Sequence, residues 1–345
     1  MNTTQVAVDL AKSVFQVSVS HAPGRVDEQH RLSRRRFRTF FLHHPPTHVL
    51  MEACGSAHHW GRELQGLGHQ VSLLPPAHVA RYRQGNKTDR ADAKALLEAA
   101  RNEDIAPVPV KSLDRQSITA LHRLRSGYLA TRTSRINTVR GLLREFGLPV
   151  PQGPRAFLAK APIALDDDKL PTYLKTALTQ ALLEIKELQA KADDLKSQLE
   201  RLAPLIPSVS FLMTVPGIGI LSATALVATV GDVQRFPSGR SFANYLGLTA
   251  RESSSGASRR LGPISKRGNR YLRMLLIHGA RSALLAAYRT REPDSLQAWA
   301  IRTAQARGHN IATVALANRI ARIAWRVWRD QRPFQRRPAE KENAV

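Results

Sequence analysis

At 345 residues the chain exceeds one ordinary core, so two folded regions joined by helices are expected. Fifty-two lysines and arginines against 27 acids leave a formal charge of +25, an excess that repels itself unless a polyanion neutralises it. Nucleic acid is the natural partner, because an anionic membrane surface would need an amphipathic anchor or an apolar span of about 18 residues, and the sequence offers neither.

The opening MNTTQVAVDL lacks the basic, apolar and small-residue succession of a secretory signal, and the single cysteine, Cys54, excludes an internal disulfide. A reduced bacterial cytoplasm, in association with the nucleoid, is the expected location. One cysteine with scattered histidines fits no zinc spacing, so His58 and His59 read as surface or cleft groups.

The first hundred residues alternate short β-branched runs with helical stretches, the pattern of an α/β layer domain. Strands are predicted at Gln5–Leu10, Val14–Ser20, 48–51 and Gln70–Leu74, with helices over 56–67 and 88–101. Their order resembles a ribonuclease-H-like mixed sheet spanning 1–105.

A helical, basic region follows over 106–207. Between 112 and 146, Leu121, Leu124, Tyr128, Ile136, Val139, Leu142 and Leu143 hold the apolar positions. Arg115, Arg123, Arg125, Arg132, Arg135, Arg140 and Arg144 fill much of the rest, with no acid between the first and the last. A solvated helix face normally mixes its signs, so this run predicts nucleic-acid contact. Residues 148–162 read as a linker. Beyond them Leu182, Ile185, Leu188, Ala192, Leu195, Leu199 and Leu202 step by three or four, a coiled-coil-like helix suited either to packing on the basic helix or to a dimer seam.

A compact helical domain is expected over 208–330. Its PGIG turn at 216–219 is a helix-hairpin-helix signature, in which Gly217 and Gly219 would let backbone amides approach a phosphate. Residues 331–345, charged and proline-containing, read as a disordered tail.

Four acids stand out. Asp9 closes the apolar run VAVD, and Glu52 closes HVLM in the same way, so two strands each deliver one carboxylate to a sheet edge. Asp89 and Asp92 lie three apart on a predicted helix and so share a face. Each acid alone is unremarkable: Asp89 could cap its helix, and Asp92 could pair with Arg90 or Lys94. As a set they suit phosphoryl transfer, in which two magnesium ions held by carboxylates stabilise attacking and leaving oxygens.

These residues resemble the DEDD transposases of the insertion-sequence-110 family, and its 1111 subgroup in particular. One block comprises VDLAK at 8–12, MEACGS at 51–56 and NKTDRADA at 86–93, and is similar to the family's RuvC-type N-terminal domain. The other comprises PGIG, Phe236, YLGL at 245–248, SSSG at 253–256, ISKRGN at 264–269 and Leu272-Arg273. The resemblance implies that Asp9, Glu52, Asp89 and Asp92 bind magnesium. It also implies that a serine of the second block attacks a DNA phosphate. Ser255, next to Gly256, is the choice among Ser253, Ser254 and Ser255. Arg259, Arg260, Lys266, Arg267, Arg270 and Arg273 follow it without an acid, as contact with DNA would favour. A guide RNA, double-stranded DNA at the element ends and target, and a dimeric or tetrameric assembly are further implications.

Two other readings compete. A RuvC-type structure-specific endonuclease would use the four acids with water and would not need Ser255. A non-catalytic nucleic-acid-binding protein would explain the charge but not four acids set in a surface built for phosphate.

Overall fold

A computed structural model describes residues 4–22, 25–83, 88–256 and 258–338, with positions 89 and 90 described by backbone alone. The chain divides into two compact units, Met1–Asp114 and Arg115–Val345. The central helices therefore fall in one unit with the C-terminal helices.

The first unit is a five-stranded mixed sheet flanked by helices. In chain order it runs β1 (Gln5–Leu10), β2 (Val14–Ser20), β3 (Glu28–Ser33), α1 (Arg34–His43), β4 (His48–Glu52), α2 (Ala57–Gly66), β5 (Gln70–Leu74), α3 (Pro76–Val79) and α4 (Asp89–Ala100). The spatial order is β3-β2-β1-β4-β5. The first three strands form an antiparallel meander, whereas β4 and β5 join β1 in parallel. This matches the expected ribonuclease-H-like order. All four predicted strands form, β4 extending one residue further to include Glu52.

The sheet is covered on both faces, which explains why its central strands are almost wholly apolar. Val6, Val8, Val49 and Met51 face a cluster with Phe37 and Phe41 of α1 and Trp60 and Leu64 of α2. Ala7, Leu50 and Leu74 face the opposite way and pack on Ala93, Leu96 and Leu97 of α4. Besides the single-turn α3, two elements escaped the sequence reading. Strand β3 is polar and mostly exposed, an edge without the alternation of a half-buried strand. Helix α1 opens RRRFR; its signal is the Ser33 N-cap, whose side chain accepts from the Arg36 amide, ahead of Phe37 and Phe41.

The second unit begins with three packed helices: α5 (Leu113–Glu145, starting just before the boundary), α6 (Pro154–Leu165) and α7 (Thr172–Leu202). The expected linker at 148–162 is for the most part α6. Pro154 sits in its first turn, where a missing N–H costs nothing, and Phe157, Ala161 and Leu165 repeat every four residues to face the core. They meet Ile136, Val139 and Leu143 of α5 and Leu178, Leu182 and Ile185 of α7. The apolar stripe of α7 is thus covered within the chain over this stretch.

Next come α8 (Pro207–Met213), α9 (Ile220–Val230), α10 (Gly239–Tyr245), β6 (Ala250–Glu252), β7 (Leu261–Ile264), α11 (Arg270–Ala287), α12 (Ser295–Arg307) and α13 (His309–Asp330). Leu212, Leu226, Phe242, Leu276 and Ile320 centre one large core. The antiparallel β6–β7 hairpin is an addition to the all-helical expectation. Residues 331–338, expected within a disordered tail, turn back over the helices: the Phe334 amide donates to Thr214 Oγ1 at 2.7 Å, and the Arg337 carbonyl accepts from the Ser295 amide at 2.9 Å. Residues 339–345 lie outside the described set.

Candidate active site and nucleic-acid interface

Sheet register places two of the four acids side by side. β1 and β4 run parallel with Val8 opposite Met51, so Asp9 and Glu52 stand one position further on, side by side at the carboxyl ends of neighbouring strands. Period-two alternation puts both on the face of Ala7 and Leu50, the face that α4 covers. Both are half-buried. Helix α4 starts at Asp89 behind its N-cap Thr88, whose hydroxyl accepts from the Ala91 amide, and Asp92 follows one turn later. Helix α4, which covers that sheet face, thus carries the other two acid positions in its first turn.

The Asp92 carboxylate lies 2.6 Å from Arg83 Nε, a partner that the sequence reading did not name. Among the described residues no three His, Cys, Asp or Glu side chains are grouped closely enough to hold a metal. The side chain at 89 is outside that set, as are Asn86 and Lys87 of the 86–93 motif. In donor chemistry the acids suit a hard divalent cation, which prefers carboxylate oxygens. His58 is not a ligand candidate, since its Nδ1 accepts from the Lys111 amide at 3.2 Å.

In the second unit the three serines occupy the exposed tip of the β6–β7 hairpin. The Ser253 amide donates to the Arg260 carbonyl, and Ser255 and Ser258 exchange backbone hydrogen bonds. Gly256, with φ at +54°, makes the turn. Ser254 is committed: its hydroxyl donates to Glu252 Oε1 at 3.0 Å and accepts from the Arg260 amide at 3.2 Å. Arg259 Nε reaches the same Glu252 oxygen at 3.1 Å. The Ser254 hydrogen bond, then Arg259, hold the Glu252 carboxyl below the usual range. No hydrogen bond of the Ser255 hydroxyl occurs among the described residues.

The basic positions divide into two groups. Arg123, Arg144, Arg259, Arg260, Lys266, Arg267 and Arg270 are exposed. Others are committed inside the unit. Arg132 donates to Gln189, Arg140 donates to Asn137 at 3.0 Å, and Arg135, though exposed, pairs with Glu184 at 2.7 Å. Arg115 is partly buried, with its guanidinium over Gly231, and desolvation lowers its pKa. Arg125 is half-buried beside the Tyr271 hydroxyl.

Arg273 requires correction: it is 9% exposed, and its Nη1 donates to the carbonyls of Leu246 and Arg267. It clamps the YLGL turn to the ISKRGN turn and presents little charge to an external phosphate. Gly217 has φ at +87° and lies so close to Gly279 that an added Cβ would stand 2.8 Å from the Gly279 carbonyl oxygen. Its immediate work is helix packing. Gly219, the N-cap of α9, is open to solvent.

A buried polar relay supports this basic surface. His122 of α5 bonds Tyr271 Oη and Thr224 Oγ1, both at 3.0 Å. The Thr224 hydroxyl donates to the Ile220 carbonyl at 2.7 Å, so it must accept from His122 Nε2–H, and His122 Nδ1 then accepts from Tyr271. Burial, and then Arg125, lower the His122 pKa to about 4, so the ring is neutral near pH 7.

Comparison with known proteins defines the class. Residues 6–147 match a family model of DEDD type described as a transposase, and 209–294 match one described as "Transposase IS116/IS110/IS902 family". The chain is 42% identical over 328 residues to a probable family 20 transposase of Pseudomonas aeruginosa, covering 94% of this chain and 96% of that one. It is 35% identical over 332 residues to the transposase for insertion sequence element IS1111A of Coxiella burnetii, with 96% and 91% coverage. A third relative, the transposase for IS1328 of Yersinia enterocolitica, is 32% identical over 94% of this chain and 96% of its own length.

The protein is thus a transposase, an enzyme that cuts and rejoins DNA. It belongs to the IS110 family. Among the described residues no helix is long and apolar enough to cross a membrane.

Proposed function

We propose that this transposase breaks and reseals DNA through a covalent serine intermediate, with Asp9, Glu52, Asp89 and Asp92 as its metal-binding acids. The observation that carries the reading is the β1–β4 register, which sets Asp9 and Glu52 side by side on the face covered by the helix bearing Asp89 and Asp92. Two magnesium ions held there would stabilise charge on the oxygens of a phosphodiester under attack. Asp92 would exchange its Arg83 pairing for that role.

Ser255 Oγ forms a bond to phosphorus as a phosphorus–oxygen bond to the sugar breaks; the serine proton leaves to solvent, and the departing sugar oxygen takes one up to become a hydroxyl. A sugar hydroxyl later attacks the phosphoserine, restoring a phosphodiester and the free serine without an external energy source. Support comes from its place at an exposed hairpin tip next to Arg259 and Arg260. Arg123, Arg144, Lys266, Arg267 and Arg270 carry duplex DNA or a structured guide RNA by phosphate contact. Gly219 leaves the N-terminal amides of α9 open to a phosphate, as in a helix-hairpin-helix. The enzyme works as a homo-oligomer on the nucleoid in the bacterial cytoplasm.

A second reading has one observation behind it: Ser254 already donates to a carboxylate, the contact of a nucleophile with its base. Both are tested by incubating the protein with magnesium, its co-purifying RNA and labelled DNA from the element junction, then running denaturing gels. We expect a protein–DNA adduct that Ser255→Ala abolishes and Ser254→Ala retains. The reverse pattern selects Ser254. Cleaved DNA without an adduct would make the enzyme a hydrolytic, RuvC-type nuclease, and magnesium-independent binding without cleavage a non-catalytic binder.

A further inference from the structure

We propose that the groove between α12, α13 and the base of the β6–β7 hairpin binds an unpaired nucleic-acid strand. The inference rests on the protein's being a nucleic-acid enzyme, but not on which serine reacts. The groove encloses about 1650 Å³, well beyond the room one small ligand needs. Its chemistry is of two kinds.

The first is uncompensated positive charge. Arg319, Arg322 and Arg326 recur at i, i+3 and i+7 on α13, and Arg240 and Arg307 reach the groove from α10 and α12. The two carboxylates on its wall are already engaged. Asp330 pairs with Arg326 at 3.0 Å and Arg329 at 2.7 Å, while Asp294 caps α12 and lies 3.9 Å from Arg336. Among the described residues Arg307, Arg319 and Arg322 form no ion pair, whereas Arg240 is within Coulombic reach of the Glu252 carboxylate. Three such charges round one cavity call for phosphates.

The second is apolar surface that phosphates alone would not need. Leu261 is 57% exposed and Ile311 51% exposed, and both line the groove beside Trp299. The Arg319 guanidinium lies 4.5 Å from the centre of the Trp299 ring, which holds it as part of a stacking platform. Nucleobases stack on indole rings and on guanidinium groups, but only when their faces are free. A duplex hides those faces and offers base edges only within its grooves. Phosphate-binding arginines interleaved with an aromatic and exposed aliphatics therefore suit a single strand, as the exposed arginines of α5 suit a backbone.

The test uses full-length protein and fluorescence anisotropy with labelled 15-nucleotide oligo-dT, oligo-rU and a hairpin duplex over a salt series. Arg319→Ala/Arg322→Ala should weaken single-strand binding by about tenfold or more and flatten the slope of log affinity against log salt by about 1.4, or about 0.7 per lost phosphate contact. Trp299→Leu should weaken it by about tenfold without changing the slope, and Trp299→Phe should restore most of it. Circular dichroism and melting of each variant confirm the fold. The strand that loses more, dT or rU, identifies the source as DNA or RNA; loss with either upholds the site. Unchanged affinity and slope, or an equal loss for the duplex, overturn the proposal. Failure of the serine adduct assay while these variants still lose strand binding would sink the covalent reading and leave the groove standing.

Discussion

The two units carry their proposed reactive groups differently. In the first, Asp9 is the penultimate residue of β1 and Glu52 the last of β4, each directly after a wholly buried residue, Val8 and Met51, so the carboxylates are positioned by a packed sheet. In the second, Ser253, Ser254 and Ser255 stand on an exposed hairpin tip held by a few polar bonds, above a core whose turns interlock through glycine. Carboxylates meant to share a cation need fixed spacing and gain from a rigid strand end. A nucleophile that must reach a large polyanion gains from exposure, and its order is completed by what it binds.

That contrast can be broken. The largest expected effect is on the sheet acids: Asp9→Asn or Glu52→Gln should lower magnesium-dependent strand cleavage by at least about 100-fold, with a far smaller change in melting temperature, since both side chains lie outside the buried apolar core. A melting temperature lowered in step with activity would mean that the acids are structural. Chelating the divalent ion should reproduce the loss.

Next in size is the glycine contact in the second unit. A Cβ at Gly279 would run into the Gly217 carbonyl, with both backbones fixed by packed helices. Gly279→Ala should therefore cost about 3 kcal/mol, at the upper end of ordinary overpacking, read as a lowered urea midpoint. An unchanged midpoint would show that the turn yields.

His122 supplies a third test, by pH. Its folded pKa is depressed to about 4, so its stabilising contribution is complete above the unfolded value near 6.5 and declines as the pH falls toward 4. At pH 5 the loss should be about 2 kcal/mol relative to pH 7.5. Unfolding of His122→Gln should lack that slope, and if it retains the slope the relay is not its cause.

The smallest effect is expected on the hairpin. Glu252 is exposed, so Glu252→Gln should leave the melting temperature unchanged. It should alter adduct yield only a few-fold if Ser255 is the nucleophile, and far more if Ser254 is. A large loss of stability would show the tip to be built into the core.

Much of this was legible in the sequence. Strand runs such as VAVDL and HVLME, the three-residue spacing of Asp89 and Asp92, and the apolar steps of 182–202 are local patterns with fixed geometric meaning. The polar edge strand 28–33 and helix 154–165 were not legible. One lacks a buried face to imprint an alternation, and the other hides its apolar repeat among prolines and glycines that mark turns elsewhere.

Charge was legible only as a sum. The sequence by itself determined the polyanion partner and the α/β and helical regions, and it nominated the four acids, because these readings follow from composition and from periods of 2 and 3.6. Only the tertiary structure decided that Arg132 and Arg135 face α7, that Arg273 is spent on two backbone carbonyls, and that Arg240, Arg307 and Arg319 meet Trp299 around one groove. Whether an arginine reaches solvent depends on residues tens of positions away in the chain, and no local pattern carries that information.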